Sequence, residues 1–278
     1  MTDEIQATKE IYDSSKRPHP LIEEFLTLIK YRDLLYQFVS SSIKTRYKRS
    51  FLGVIWTLLN PLLMMVVLTL VFTNLFRFAI QYYPVYLLSG LILWNFFSST
   101  TIQALQGMIL SGGLLNRIYV PKSVFTFSAL GTGLVNLTIS LVPLFAITLF
   151  LGVKIHLSIL IMPLAILLLA IFSLGIGLIL AAAAVYFADM LPVYEVILTL
   201  WMYATPIIYP ADILPADRVW LLKLNPMYYL LQVFRRPLYE GVVPGWGEWA
   251  IAASVALAVF IAGSLIFTSK INEYAYRT

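Results

Sequence analysis

The sequence predicts an all-α, polytopic membrane protein. It has six transmembrane helices, an N-terminal amphipathic interfacial helix, and short re-entrant helices before the last span. Three observations carry this. Of 278 residues, 60% are hydrophobic and only 12% are Asp, Glu, Lys or Arg. Soluble domains run at about 45–50% apolar and about 25% charged, so this chain lacks the charge to cover a water-facing surface. Mean hydropathy is +0.85. The apolar residues also fall into long charge-free runs without polar/apolar alternation, which favours helices over a transmembrane barrel.

Those runs are 50–76, 78–116, 123–153, 155–188, 196–211 and 249–269. A helix needs about 20 apolar residues to cross the hydrocarbon. The spans are therefore expected at 51–76, 84–108, 122–150, 158–187, 191–209 and 247–269. The fifth has the shortest run and must admit Glu195. Ahead of the spans lie a polar tail over 1–20 and an interfacial helix with a basic loop over 21–50; 51–278 is the six-helix membrane domain. The opening MTDEIQATKE is polar, unlike a cleaved signal peptide.

Lys and Arg set the orientation. Nine of the 19 lie in 1–50, and Arg117, Lys122, Lys270 and Arg277 join them if both termini are cytoplasmic. The other side then holds Arg77, Lys154, Arg218, Lys223, Arg235 and Arg236. Both termini are expected inside. The pI of about 9.3 arises from basic residues beside apolar segments, so anionic lipid is the expected partner rather than nucleic acid.

Three segments outside the spans carry pattern. In 21–44, Ile22, Phe25, Leu26 and Ile29, then Leu35, Phe38, Val39 and Ile43, form a helical apolar stripe. That helix reads as a surface anchor, or as the support for Arg46, Lys48 and Arg49 binding the phosphate of a lipid-linked substrate. Residues 109–122 form a loop opened by Gly112-Gly113 and closed by Pro121. It is a plain connector or a short helix that docks a partner. Residues 210–246 are apolar yet interrupted. Asn225-Pro226 reads as a cap with proline at the first helical position, and Pro237 ends the stretch. This is either a surface loop with an aromatic belt or a pair of half-helices dipping toward a pore.

Several chemistries are excluded. The chain has no cysteine, so there are no disulfides, thiolate metal sites or cysteine nucleophile. His19 and His156 are too far apart in sequence to suggest a metal site. Gly107 and Gly112 have phosphate-loop spacing, but Gly113 and Leu114 follow where Lys and Ser/Thr are needed. Asp189, Glu195 and Glu248 stand near expected interfaces and form no acidic pair for a prenyl-phosphate transferase. Gly131, Gly133, Gly175, and Gly177 with Ala181 four residues on, permit close helix packing.

The run Tyr47-Lys48-Arg49-Ser50-Phe51-Leu52-Gly53-Val54-Ile55-Trp56-Thr57-Leu58-Leu59-Asn60-Pro61-Leu62 resembles the start of the first span in bacterial ABC exporter permeases of the polysaccharide and teichoic-acid type. Supporting matches, in order, are Leu115-Asn116-Arg117-Ile118-Tyr119-Val120-Pro121-Lys122, Thr205-Pro206-Ile207-Ile208-Tyr209 and Leu224-Asn225-Pro226-Met227. Val120 departs from the aromatic residue more usual there.

The resemblance implies a homodimer in the bacterial cytoplasmic membrane, with two copies of a separate ATPase on the cytoplasmic face. It implies that Leu114, Leu115, Asn116 and Arg117 couple to that ATPase. ATP and magnesium would belong to the partner, with no cofactor on this chain and no enzymatic activity of its own. The implied cargo is a glycan or polyol phosphate on a lipid carrier, such as O-antigen, teichoic acid or capsule. Trp56, Trp94, Phe96, Phe97, Tyr203, Tyr209, Tyr228 and Tyr229 are the aromatic candidates for the channel, because sugar C–H faces stack on rings. A drug or small-lipid exporter of the same architecture is the alternative.

Overall fold

The computed structural model describes residues 28–48, 55–74, 80–110, 121–187, 189–213, 215 and 217–270, with backbone alone for Arg46, Tyr47, Trp56, Thr57 and Asp212. Among these residues all regular structure is helical. In order the α-helices are α1 (Arg32–Tyr47), α2 (Ile55–Asn74), α3 (Tyr83–Leu110), α4 (Ser123–Phe150), α5 (Met162–Ala183), α6 (Met190–Ala204), α7 (Val219–Lys223), α8 (Pro226–Arg235) and α9 (Trp246–Lys270). A 3-10 turn, Leu157–Ile161, leads into α5. A π-helical stretch, Arg236–Glu240, continues α8.

Among the described residues, four helices are long and apolar enough to cross a membrane: α3, α4, α5 with its leading turn, and α9. Their bounds follow the charge-free runs closely. Over the expected first and fifth spans the apolar helices are shorter, Leu58–Asn74 and Met190–Ala204. The fifth span was expected to reach 209, but α6 stops at Ala204. Thr205 is extended at φ −105° and ψ 135°. Pro206 dictates this, since proline lacks the N–H a helix needs and pushes its predecessor out of the helical region. Pro237 was expected to end the following helix. Instead the chain coils on through Arg236–Glu240 and turns at Gly241, φ +71°, where the left-handed region favours glycine.

Apolar helices in lipid gain little from the hydrophobic effect, so close backbone approach and side-chain fit hold them together. Here α5 and α9 touch almost backbone to backbone. A Cβ on Gly175 would lie 2.7 Å from Phe260 Cα, and one on Gly263 would strike the Gly175 carbonyl. Gly177 lets Ala104 and Thr126 approach, at 3.1 Å each from where its Cβ would be. Fully buried Phe97, Phe172 and Phe234 fill the interior between α3, α5 and α8.

At the other end, α1 lays part of its apolar stripe on the start of α4. Phe38 and Phe125 have ring centroids 5.4 Å apart, and Leu34 and Leu35 join the same cluster. Val39 fits over Gly131, 2.9 Å from where a Cβ would sit. The residues Ile22, Phe25 and Leu26 of the expected stripe lie outside the described residues, and Ile29 is exposed.

Candidate functional site

The break after α6 organises the site. Thr205, Pro206, Ile207 and Ile208 are buried, yet their backbone is not helical. Buried carbonyls without partners are costly, most of all in a membrane. Each one here is accounted for. The Ala204 carbonyl accepts from Asn225 Nδ2 at 3.2 Å, and the Thr205 carbonyl accepts from the Ile207 amide at 2.7 Å. Arg235 donates to the Pro206 carbonyl at 2.6 Å and to the Ile207 carbonyl at 2.9 Å. The Tyr83 hydroxyl donates to the Ile208 carbonyl at 2.8 Å. The Tyr86 hydroxyl shares its proton between the Tyr209 carbonyl at 2.9 Å and the Pro206 carbonyl at 3.1 Å.

Arg235 is the centre of this knot. It is only 4% exposed, its Nε lies 3.4 Å from Ser89 Oγ, and its guanidinium sits 3.9 Å over the Tyr86 ring. Those partners are all neutral, and the ring face supplies the electrostatic complement. Arginine suits the position because its planar fork reaches two adjacent carbonyls at once. Gly90 makes the room, since a Cβ there would collide with the guanidinium.

Asn225 is a second hub. As the N-cap of α8 it accepts from the Met227 amide at 3.0 Å, as Asn-Pro predicts. The same oxygen accepts from Trp201 Nε1 at 2.9 Å, while its amide also donates to Thr205 Oγ1 at 2.8 Å. Trp201 is thereby set edge-on against Trp94, Phe97 and Phe172. Further along, Arg236 donates to Glu240 at 3.0 Å and to both oxygens of Glu248 at 2.6 and 2.7 Å. The hydrogen bond to Glu240, helped by the Glu248 charge, raises the Arg236 pKa above its ordinary value. Glu248, which the sequence puts near an expected interface, ties α9 to the end of α8. Ser158 donates to the Pro237 carbonyl at 3.0 Å, and His156 closes over Gly241.

Among the described residues, the remaining sequence candidates do not gather into one site. Leu114, Leu115, Asn116, Arg117 and Arg49 lie outside the described residues, as do the side chains of Arg46 and Trp56. Lys48 and Lys44 are exposed on α1. With Tyr36, Gln37, Ser40, Ser41 and Thr45 they line an open groove of about 830 Å³. Trp94, Phe96 and Phe97 are buried; as placed they pack the interior. Tyr203 is exposed, and the Tyr209 hydroxyl donates to its carbonyl at 2.9 Å. Tyr228 and Tyr229 form a half-buried edge-on pair. The sequence reading did not single out Arg235, Tyr83, Tyr86 or Trp201. One signal was available: Arg235 follows Leu231 by four and precedes Leu238 by three, which puts it on the apolar face of its helix.

Comparison with known proteins bears on the whole of this architecture. The model of the ABC-2 type transporter family matches residues 33–239. The chain belongs to the ABC-2 type transporter family. The matched stretch runs from α1 to the π-helical end of α8, so the ABC-2 match contains the Arg235 knot and leaves out α9. Among curated relatives, the O-antigen export system permease protein RfbA of Myxococcus xanthus is 33% identical over 250 residues, covering 89% of this chain and 96% of the relative. An RfbA of the same description from Klebsiella pneumoniae is 29% identical, covering 88% and 93%. The polysialic acid transport protein KpsM of Escherichia coli is 28% identical, covering 85% and 89%.

Proposed function

We propose that this chain is the membrane subunit of an ATP-driven exporter that moves a lipid-linked polysaccharide across the bacterial cytoplasmic membrane. The observation that carries this is the near end-to-end similarity to O-antigen export permeases, 89% of this chain and 96% of the relative. The absence of a phosphate-loop motif in the sequence supports a division of labour in which a separate ATPase supplies the energy.

In this reading two copies of the chain pair in the membrane and two ATPase subunits dock beneath them. The apolar helices α2 and α6 complete six spans per copy, the latter with the segment that follows it. The α7–α8 hairpin is a re-entrant element, and the non-helical backbone of 205–209 that precedes it is tolerated because Arg235, Tyr83 and Tyr86 satisfy its carbonyls. Leu114, Leu115, Asn116 and Arg117 contact the ATPase. Arg46, Lys48 and Arg49 receive the phosphate of the lipid carrier beside the α1 groove, where charge-assisted hydrogen bonds to phosphate are strong.

The test is reconstitution. With the ATPase from the same export system in proteoliposomes, the chain is expected to move fluorescently labelled, lipid-linked glycan in an ATP-dependent manner. Arg117→Ala should keep assembly and lose transport. Movement of a small lipid or drug in place of glycan would reject the glycan reading; no ATP-dependent movement of any cargo would reject the exporter itself.

A further inference from the structure

The link between α4 and α5 is short and held in one shape. The Gly152 amide donates to the Leu149 carbonyl at 3.0 Å and the Val153 amide to the Thr148 carbonyl at 3.1 Å. Gly152 takes the left-handed region, φ +72°, that glycine allows, and Val153 is buried. The chain is extended at His156, φ −100° and ψ 160°, and enters the 3-10 turn Leu157–Ile161. That turn is fastened to the end of α8. Ser158 donates to the Pro237 carbonyl at 3.0 Å, and a Cβ on Gly241 would collide with the His156 ring. Residues 154–160 and 241–246 thus form one rim.

The rim is apolar where a water-facing loop would be polar. Phe150, Leu157, Leu160, Val242, Val243 and Trp246 are all exposed. Residues three apart eclipse one another in a 3-10 turn, so Leu157 and Leu160 share a face. Leu157 and Trp246 are 86% and 91% exposed, against 47% for Leu257 midway along α9, so they stand out from the body of the molecule. Apolar surface gathered in this way marks a contact with something else. The helices that end here set its depth. α4 has 28 residues, α5 with its leading turn 27 and α9 25, where about 20 cross the hydrocarbon. Their ends therefore reach the headgroup layer, where tryptophan is favoured.

The polar groups of the rim are donors. Lys154 is exposed, and the sequence has no carboxylate from 150 to 188 or from 241 to 247. The flanking Glu240 and Glu248 are both engaged by Arg236. The amides of Lys154, Ile155 and His156 find no backbone acceptor among the described residues. An ammonium group and free amides beside protruding apolar side chains complement a phosphate that sits above acyl chains.

We infer that this rim is a docking site for an acidic phospholipid of the bilayer. Lys154 and the neighbouring amides take its phosphate, and Leu157, Leu160 and Trp246 lie against its first methylenes. By the Lys and Arg distribution the lipid belongs to the outer leaflet. Because Ser158 and His156 hold the rim to the end of α8, a lipid seated there braces that helix from outside. The site requires only that α4, α5 and α9 cross the membrane, whatever the cargo.

The chain has no cysteine, so Leu157→Cys carries a fluorophore at one position of the full chain. In vesicles of phosphatidylcholine and phosphatidylglycerol that fluorophore should be quenched by lipid spin-labelled near the headgroup and shielded from aqueous iodide. Native mass spectrometry of the detergent-purified protein should show phosphatidylglycerol retained over phosphatidylcholine. Lys154→Gln should cut that retention about tenfold, while Lys223→Gln, at an exposed cation of α7, leaves it unchanged. Quenching by iodide and not by lipid means the rim faces water and overturns the inference. Disulfides between copies at Leu157→Cys mean a second copy covers the rim, which also overturns it. No loss at Lys154→Gln, or an equal one at Lys223→Gln, removes the headgroup site. Displacement of phosphatidylglycerol by inorganic phosphate alone makes this a phosphate site and not a lipid one. Preferential retention of a polyprenyl phosphate over phosphatidylglycerol would replace the bilayer phospholipid with a carrier lipid and overturn the assignment.

Discussion

At the residue scale, one buried cation holds the α6 break to the helix that follows. Removing the Arg235 side chain orphans the Ile207 carbonyl and leaves the Pro206 carbonyl only its share of the Tyr86 proton, at about 1–3 kcal/mol for the orphaned group. Arg235→Ala should therefore lower the Tm of the detergent-solubilised protein by several degrees. Arg235→Lys should lower it less, since a point charge keeps one carbonyl and loses the fork. Tyr86→Phe removes one shared proton but keeps the ring under the guanidinium, so its effect should be smallest. Differential scanning fluorimetry checks the order, and equal Tm values across the series would mean that water replaces Arg235 without penalty. This site was the least legible part of the sequence. Hydropathy counts Arg235 and Arg236 as two cations on the outer side, yet one is buried among carbonyls and the other is paired with Glu240 and Glu248. The apolar-face spacing of Arg235 marks it for burial, but the backbone oxygens that receive it lie more than 25 residues away, beyond any local pattern. Asn225 was readable as a cap, but its bonds to Trp201 and Thr205 were not.

At the element scale the long helices could be read from charge alone. α3, α4 and α9 begin and end within two residues of the expected spans because long charge-free runs lie between flanking charges and turns. The fifth span could not be read so well. Ile207 and Ile208 keep the hydropathy high past the point where Thr205-Pro206 stops the helix, so the window sees apolar character and misses the backbone break. Small residues were legible as packing sites in general, but the partner of each was not. Gly175 and Gly263 prove to face each other across α5 and α9. Gly263→Leu should force these helices apart, because the obstacle is the Gly175 carbonyl and adjacent backbone rather than a side chain that can swing away. Overpacking of this kind costs about 1–3 kcal/mol or more. Gly247→Leu, where a Cβ meets nothing within 4 Å, is the matched control. Protease resistance in detergent should fall for the first and not for the second; equal resistance would mean the crossing relaxes freely.

At the scale of the whole molecule, the question is what covers α2 and α6. Leu63, Met64, Val66, Val67 and Leu70 of α2 are exposed, as are Val193, Val196, Ile197 and Leu200 of α6. Lipid covers such faces as well as protein does, so exposure alone does not distinguish them from α9, where Leu257, Ile261 and Leu265 are also exposed. Length does. α6 has 15 residues, about 22 Å of helix, too short by itself for a hydrocarbon layer of about 30 Å. Its polar edge, Glu195 and Thr199, also needs water or protein beside it rather than acyl chains. A second copy placed against α2 and α6 meets both needs and gives a glycan a wall on two sides. The mass in detergent, corrected for bound micelle, should therefore be twice 31.4 kDa. In the cysteine-free background, Val67→Cys and Val196→Cys should cross-link between copies under mild oxidation, and Leu257→Cys should not. A transport-competent complex containing one copy of the chain would contradict the pairing. Cross-linking through Leu257 in place of the other two would keep the dimer and move its interface to α9.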